Sequence, residues 1–391
     1  MISTGLDILL RAAEALRGRR FGLLAHAGAV SASCEPAHLA LVGRGRAPEV
    51  LFGPEHGYYG VEQYMVPSPD ERDPLTDLPV RSLYGEEEHS LRPSPDAFDG
   101  LDLLVIDLQD VGARYYTYAA TGIWAAEVAI AAGYEVWVLD RPNPLGGVAV
   151  EGNMRRPGFE SFVSAFELPV RHGLTLGELV RLEGSRRGWP ADAVRVWPME
   201  GWRRSMLWRD TGRPWVAPSP NLPTPEAALV FPGACLLEAT ELSEGRGTTR
   251  PFELLGAPGL DPTPLCARLR DLELPGVRVM PAYFRPQYWK HAGALCSGIQ
   301  VVVTEPESFS PYRFGLELLA AVRALAPEVF SWRQEPYEFV SDRPAIDLLT
   351  GDSVFRQALD AGADWHGWVE TWAPEEAAFR DERQSILLYK S

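Results

Sequence analysis

The first half of the chain alternates short apolar runs with amphipathic stretches. Phe21-Gly-Leu-Leu-Ala, Val50-Leu-Phe, Leu101-Asp-Leu-Leu-Val-Ile-Asp-Leu, Tyr134-Glu-Val-Trp-Val-Leu and Val194-Arg-Val-Trp read as strands. The third is nearly continuous in apolar character, as a strand covered on both faces requires. A helix precedes the first strand and ends near Arg17-Gly18, and residues 35–43 and 118–132 read as two more. Thr175-Leu-Gly-Glu178 has the form of a capping box that opens a helix running to about Gly184. This order predicts an α/β fold built on an open parallel sheet with helices on both faces, where ligands collect beyond the carboxyl ends of the strands.

From Trp208 to Pro225 the pattern gives way to Pro, Ser, Thr and Asn, an ordered crossing that places a domain boundary near 222. The expected domains are 1–222 and 223–391. In the second, Ile299-Gln-Val-Val-Val reads as a strand and residues 312–326 as a helix, while the remainder is too irregular to assign. The length of 391 residues suits two domains, and no internal repeat or low-complexity tract appears.

Charge and composition remove several function classes. With 37 basic against 53 acidic residues the formal net charge is −16, which opposes nucleic acid or an anionic membrane as partner. Only Lys290 and Lys390 are lysines, which disfavours phosphate-loop and Schiff-base chemistry. Cys34, Cys235, Cys266 and Cys296 are widely spaced, so reduced thiols are expected rather than a zinc site or a disulfide framework. No run reaches membrane-spanning length and the N-terminus lacks the order of a secretory signal, giving a cytoplasmic expectation. The chain has no G-x-G-x-x-G after a strand, no G-x-S-x-G and no H-E-x-x-H, so no cofactor and no metal are expected.

Three strands end in polar clusters: Gly53-Pro-Glu-His-Gly, Asp107-Leu-Gln-Asp-Val-Gly-Ala-Arg, and Asp140-Arg-Pro-Asn-Pro. Parallel strands place all three on one edge, bringing together Glu55, His56, Asp107, Gln109, Asp110, Arg114, Asp140, Arg141 and Asn143. These supply carboxylates for acid–base work and guanidinium groups for an anionic substrate. Asp107 and Asp140 also suit structural roles at strand ends. Glu55 has no such alternative, being fixed in a rigid turn between Pro54 and His56-Gly57 with no helical periodicity around it. His56 is the expected modulator of its pKa. A fourth cluster, residues 238–253, sets Arg246 between two glycines and follows it with Thr248, a loop able to enclose a carboxylate or sugar oxygens.

Pro54-Glu-His-Gly57, Asp107 to Tyr118, Leu139 to Gly147, His172 to Leu179, Pro218 to Thr224 and Ser243 to Glu253 together closely resemble the exo-beta-N-acetylmuramidase family, formerly a domain-of-unknown-function family. The resemblance covers nearly the whole chain from Thr4-Gly-Leu-Asp onward. It implies a Rossmann-like N-terminal domain, a smaller α+β C-terminal domain, and a cleft between them in which N-acetylmuramic acid is removed from the non-reducing end of peptidoglycan fragments. Glu55 matches the family's glutamate proposed to be catalytic. Asp110, Glu151 and Glu244 are the candidates for a second carboxylate, unless the substrate's own N-acetyl oxygen replaces a protein nucleophile. Arg114 or Arg246 would meet the lactyl carboxylate. Gln109, Tyr116, Arg141, Asn143, Glu151, His172, Asn221 and Thr248 complete the expected substrate contacts. The partner is then a small glycan such as MurNAc-GlcNAc or a muropeptide, with no oligomeric state implied. A noncatalytic muropeptide or sugar-acid binding protein, a hydrolase of another amino-sugar glycan, and a phosphate-ester enzyme holding a divalent ion on Asp107, Asp110 or Asp140 are the alternatives. After Gly57 the family commonly continues into a small acidic segment, whereas this chain has Tyr58-Tyr-Gly-Val-Glu-Gln-Tyr-Met-Val, and Glu241 stands where Asn is usual.

Overall fold

The computed structural model describes residues 1–390 and contains two sheets. The first has seven strands: β1 (Phe21–Ala25), β2 (Val50–Gly53), β3 (Glu71–Arg72), β4 (Pro79–Ser82), β5 (Leu103–Asp107), β6 (Glu135–Leu139) and β7 (Val194–Trp197). Their spatial order is β3-β4-β2-β1-β5-β6-β7, and every pairing is parallel except that of the edge strand β3 with β4. Counting the six parallel strands alone, this is the doubly wound Rossmann order, with its reversal between β1 and β5. Burial explains the apolar runs: every residue of β1, β2 and β5 is buried, because helices cover both faces. The helix Tyr118–Ala131 packs beside β5 and β6 and is apolar nearly all round for the same reason. The expected capping box is present, with Thr175 accepting from Glu178 N and Glu178 answering to Thr175 N, and the helix runs to Arg187.

The second sheet is antiparallel, β8 (Leu254–Ala257), β10 (Cys296–Val303) and β9 (Val277–Phe284) in that order. Two helices, Pro225–Ala234 and Pro311–Leu325, cross where Gly233 meets Gly315. A Cβ on Gly233 would lie 1.9 Å from Pro311 O, so only glycine permits this approach. The expected two-domain α/β architecture is therefore observed. The last helix, Trp372–Arg383, and the tail beyond it return to the first domain: Arg383 donates to His172 O (2.9 Å), and the Tyr389 hydroxyl reaches Asp140 Oδ2 (2.5 Å). No helix among the described residues is long and apolar enough to cross a membrane.

Candidate active site

Glu55 lies just beyond β2, where the backbone doubles back through His56 (φ 72°) and Gly57 (φ 77°). A left-handed non-glycine residue costs about 1–2 kcal/mol, and this one aims the preceding carboxyl into a cavity between the domains. The loop after β5 delivers Tyr115 to Tyr118 to the same cavity, and Thr117 Oγ1 donates to Glu55 Oε2 at 2.6 Å. From the second domain come Glu238, on the turn Cys235–Ala239, Arg246, Tyr337 and Glu338. Arg246 Nη2 donates to Glu238 Oε1 (2.6 Å), and the Tyr337 hydroxyl donates to Oε2 (2.8 Å). Behind them Glu244 is fully buried against Lys290 Nζ (3.0 Å) and Arg246 Nε (3.2 Å).

Three carboxyls thus face one enclosed space in different electrostatic states. Burial raises the Glu55 carboxyl from 4.5 to about 7, overriding the opposing Thr117 hydrogen bond and Arg246 charge. Burial also works against an ionised Glu238, but Arg246 and the Tyr337 hydroxyl outweigh it and hold this carboxyl below its ordinary value. Glu338 is pushed well above its ordinary value by burial and by the charges of Glu55 and Glu238. A protonated acid beside a carboxylate is the pairing that acid-assisted bond cleavage needs.

His56 does not tune this acid. Burial, then the Arg246 charge, lowers its imidazole to about 3, and its Nε2 stands 4.0 Å from Glu55 Oε1 as a neutral group. Desolvation is what raises Glu55. The same shift affects stability. Its proton is held more tightly folded than unfolded, so stability is full below pH 4.5 and declines as pH rises towards 7 and beyond. Glu55→Gln avoids that loss. Urea titration should find the variant level with wild type at pH 4 and up to about 3 kcal/mol more stable at pH 8; equal midpoints at both values would contradict a raised carboxyl.

Of the residues expected to form the site, Glu55, His56, Tyr116, Asn221 and Arg246 line the cavity. The others are corrected by their partners. The buried Arg114 guanidinium lies outside this cavity and donates from Nη1 and Nη2 to the carbonyls of Asn153, Leu168, Leu349 and Thr350 (2.7–3.0 Å), tying loops together. Arg141 forms a buried two-pronged pair with Asp107 (2.6 and 2.8 Å). Asn143 accepts from Leu145 N and donates to Leu174 O, and Gln109 Nε2 donates to the carbonyls of Asp110 and Pro142. Asp110 Oδ2 accepts from Gly112 N (2.7 Å), with His172 Nε2 at 3.7 Å, and the His172 Nδ1 accepts from Leu174 N. Glu151 Oε1 accepts from Arg313 N at 2.9 Å and so caps the helix Pro311–Leu325. Thr248 Oγ1 closes its own turn on Gly245 O. None of Asp110, Glu151 and Glu244 lines this cavity; besides Glu55 its carboxyls are those of Glu238 and Glu338.

The crevice at the sheet reversal is filled by protein. His26, after β1, sets Nε2 3.0 Å from Gln109 N and Nδ1 3.0 Å from Gly28 N; the neutral ring accepts at one of the two nitrogens and covers backbone donors that a dinucleotide would need. The cavity itself measures about 50 Å³, room for one or two waters, against roughly 300–1,000 Å³ for small-molecule pockets. Segment 58–68 lies against its lining residues Asn221 and Arg246. Gln63 Oε1 accepts from Asn221 Nδ2 and from the Tyr288 hydroxyl (both 2.9 Å), while the Tyr64 ring lies against Trp289 and under the guanidinium of Arg246. A larger surface groove of about 580 Å³, beside β7 and the C-terminal tail, offers Arg181 as its one titratable group and no acid–base chemistry.

Comparison with known proteins agrees with this architecture. Residues 21–226 match the family model described as exo-beta-N-acetylmuramidase NamZ, N-terminal, and residues 229–389 match its C-terminal counterpart. A peptidoglycan beta-N-acetylmuramidase NamZ of Bacillus subtilis (strain 168) is 38% identical over 393 residues, covering 99% of this chain and 91% of the relative. The crystal structure of a DUF1343 family protein from Bacteroides fragilis NCTC 9343 superposes with a TM-score of 0.88 at 31% identity, over 100% of this chain and 99% of that one. A second DUF1343 protein from the same organism, 24% identical over 100% and 99% of the two chains, shares the fold with a TM-score of 0.75. The chain belongs to the exo-beta-N-acetylmuramidase NamZ family.

Proposed function

We propose that this protein is an exo-acting glycoside hydrolase that releases N-acetylmuramic acid from the non-reducing end of peptidoglycan fragments, with Glu55 as general acid. The observation that carries this reading is the opposed state of two carboxyls in one cavity: Glu55 held protonated towards neutrality, Glu238 held ionised. Glu55 donates its proton to the glycosidic oxygen as the bond to the anomeric carbon breaks. Glu238 supplies the negative charge that the developing oxocarbenium ion needs. Both oxygens of Glu238 already accept protein hydrogen bonds, which makes it a poor nucleophile. Displacement at the anomeric carbon then falls to water or to the substrate's own N-acetyl oxygen. Arg246 has Nη1 free of protein partners among the described residues and is the receptor for the lactyl carboxylate.

The test is release of free N-acetylmuramic acid from MurNAc-GlcNAc and from a chromogenic muraminide, with a GlcNAc glycoside as control. No release from either muraminide would overturn the reading. The anomer formed in the first minutes, read by proton NMR, separates the two displacements: β for N-acetyl participation, α for direct attack by water. The pH profile follows from the two carboxyls. With Glu55 required protonated, kcat/KM should fall about tenfold per pH unit above about 7, and with Glu238 required ionised it should fall only below the ordinary carboxylate range. An alkaline limb that persists in Glu55→Gln would remove Glu55 from that role.

A further inference from the structure

Tyr337 and Val340 exchange backbone hydrogen bonds (2.9 and 3.0 Å) across a two-residue turn made by Glu338 and Phe339. Both central residues have positive φ, 46° and 68°. Such a turn favours Asn-Gly, because a side chain in this backbone region is strained. Here it carries a glutamate and a phenylalanine. The glutamate is also buried, 5% exposed, in a cavity that already holds Glu55 and Glu238. Its neighbours keep it there: the Tyr84 hydroxyl donates to Oε2 at 3.1 Å, and the Phe339 ring packs edge-on against Tyr84 (5.7 Å). The other oxygen, Oε1, has no hydrogen-bond partner among the described residues. Backbone strain, desolvation and carboxyl crowding all act against this residue, and within the protein only the Tyr84 hydrogen bond and the Arg246 charge act the other way, with Oε1 left unpartnered among the described residues. Local rules broken together at one point mark a site selected for what it binds.

We propose that Glu338 is a substrate-binding residue of the muramyl cavity, donating a hydrogen bond from its free carboxyl oxygen to the lactyl carboxylate that Arg246 also receives. The proposal rests on the muramidase reading and names a second residue that selects muramic acid over glucosamine. A protonated carboxyl suits this task, since it donates to the lactyl group where an ionised one would repel it. The crowding of Glu338 by Glu55 and Glu238 acts in that direction. Arg246, Tyr84, Tyr64 and Tyr337 are the remaining charged and titratable groups that face it. A neutral donor beside a guanidinium adds a hydrogen bond to a bound anion without adding a further negative charge.

The test uses Glu338→Met, which keeps size and removes the donor, and Glu338→Gln, which keeps a donor and cannot ionise. On MurNAc-GlcNAc the Met variant should raise KM roughly 10- to 100-fold with kcat within about threefold. The Gln variant should stay within about fivefold of wild type at pH 6. Its KM should stay flat with rising pH, while the wild-type KM climbs as Glu338 ionises. A Met variant with unchanged KM, or wild-type and Gln KM values that rise in parallel, would overturn the proposal. If the Met variant unfolds, the pH dependence of the Gln variant decides alone. Calorimetric binding of free N-acetylmuramic acid to Glu55→Gln, with and without Glu338→Met, keeps the two readings apart. Binding that depends on Glu338, in a protein whose wild type cleaves no muraminide, sinks the hydrolase reading only. Cleavage with an unaltered Met variant sinks only the role of Glu338.

Discussion

Glu55→Gln lowers kcat/KM for MurNAc-GlcNAc by roughly 100- to 10,000-fold, the span general-acid catalysis contributes. The amide matches the carboxyl in shape, and its oxygen still accepts from Thr117 Oγ1, so the turn Pro54 to Gly57 and the cavity wall should be preserved. What disappears is the carboxyl proton that Glu55 holds towards neutral pH. The size of the loss should depend on the leaving group. A sugar hydroxyl leaves only when protonated, whereas a nitrophenolate leaves without help, so the variant should retain far more activity on a nitrophenyl muraminide than on the disaccharide. Steady-state kinetics on the two substrates check this directly. Equal losses on both would show that Glu55 serves binding or structure instead of proton transfer, and no loss on either would remove it from the mechanism.

Glu55 was legible in the sequence because nothing structural accounted for it. It follows an apolar strand, sits between a proline and a His-Gly turn, and belongs to no periodic pattern. The parallel sheet was legible too, since β1, β2 and β5 are buried on both faces and their runs are nearly continuous in apolar character. The same strand ends misled on the remaining polar residues. A sheet edge has helix N-termini, orphaned carbonyls and buried charges to satisfy. Asp140 receives Gly177 N and the Thr175 hydroxyl, Asp107 neutralises Arg141, and Arg114 gathers four carbonyls from both domains. In sequence these are indistinguishable from residues awaiting a substrate. Glu238 was visible as part of the loop cluster 238–253, but only the fold sets it against Arg246 and across from Glu55. Glu338 had no signal at all. A Glu-Phe pair does not read as a tight turn, because the turn forms against local preference and is held by tertiary contacts through Tyr84.

Arg246→Met should cost about 3–5 kcal/mol of stability, because its guanidinium is the main counter-charge of buried Glu238 and shares Glu244 with Lys290. Glu238 would keep only the Tyr337 hydroxyl and the weak Cys235 thiol contact, and Glu244 only Lys290. An uncompensated buried carboxylate escapes its cost by taking up a proton, so Glu238 should move from below its ordinary value to above it. Two consequences separate this from simple loss of packing. The acid limb of the kcat/KM profile should shift towards neutral pH in the variant, narrowing or closing the window in which Glu238 is ionised while Glu55 is protonated. Discrimination between a muraminide and the matching GlcNAc glycoside should also fall, because the lactyl carboxylate loses its cationic partner. Arg246→Lys should restore little of either, since one ammonium cannot span Glu238 and Glu244 while keeping a third donor turned to the cavity. Urea unfolding at pH 7, together with pH profiles on both substrates, measures all three effects. A variant that loses stability while keeping the wild-type acid limb and the wild-type substrate preference would confine Arg246 to holding the cavity wall.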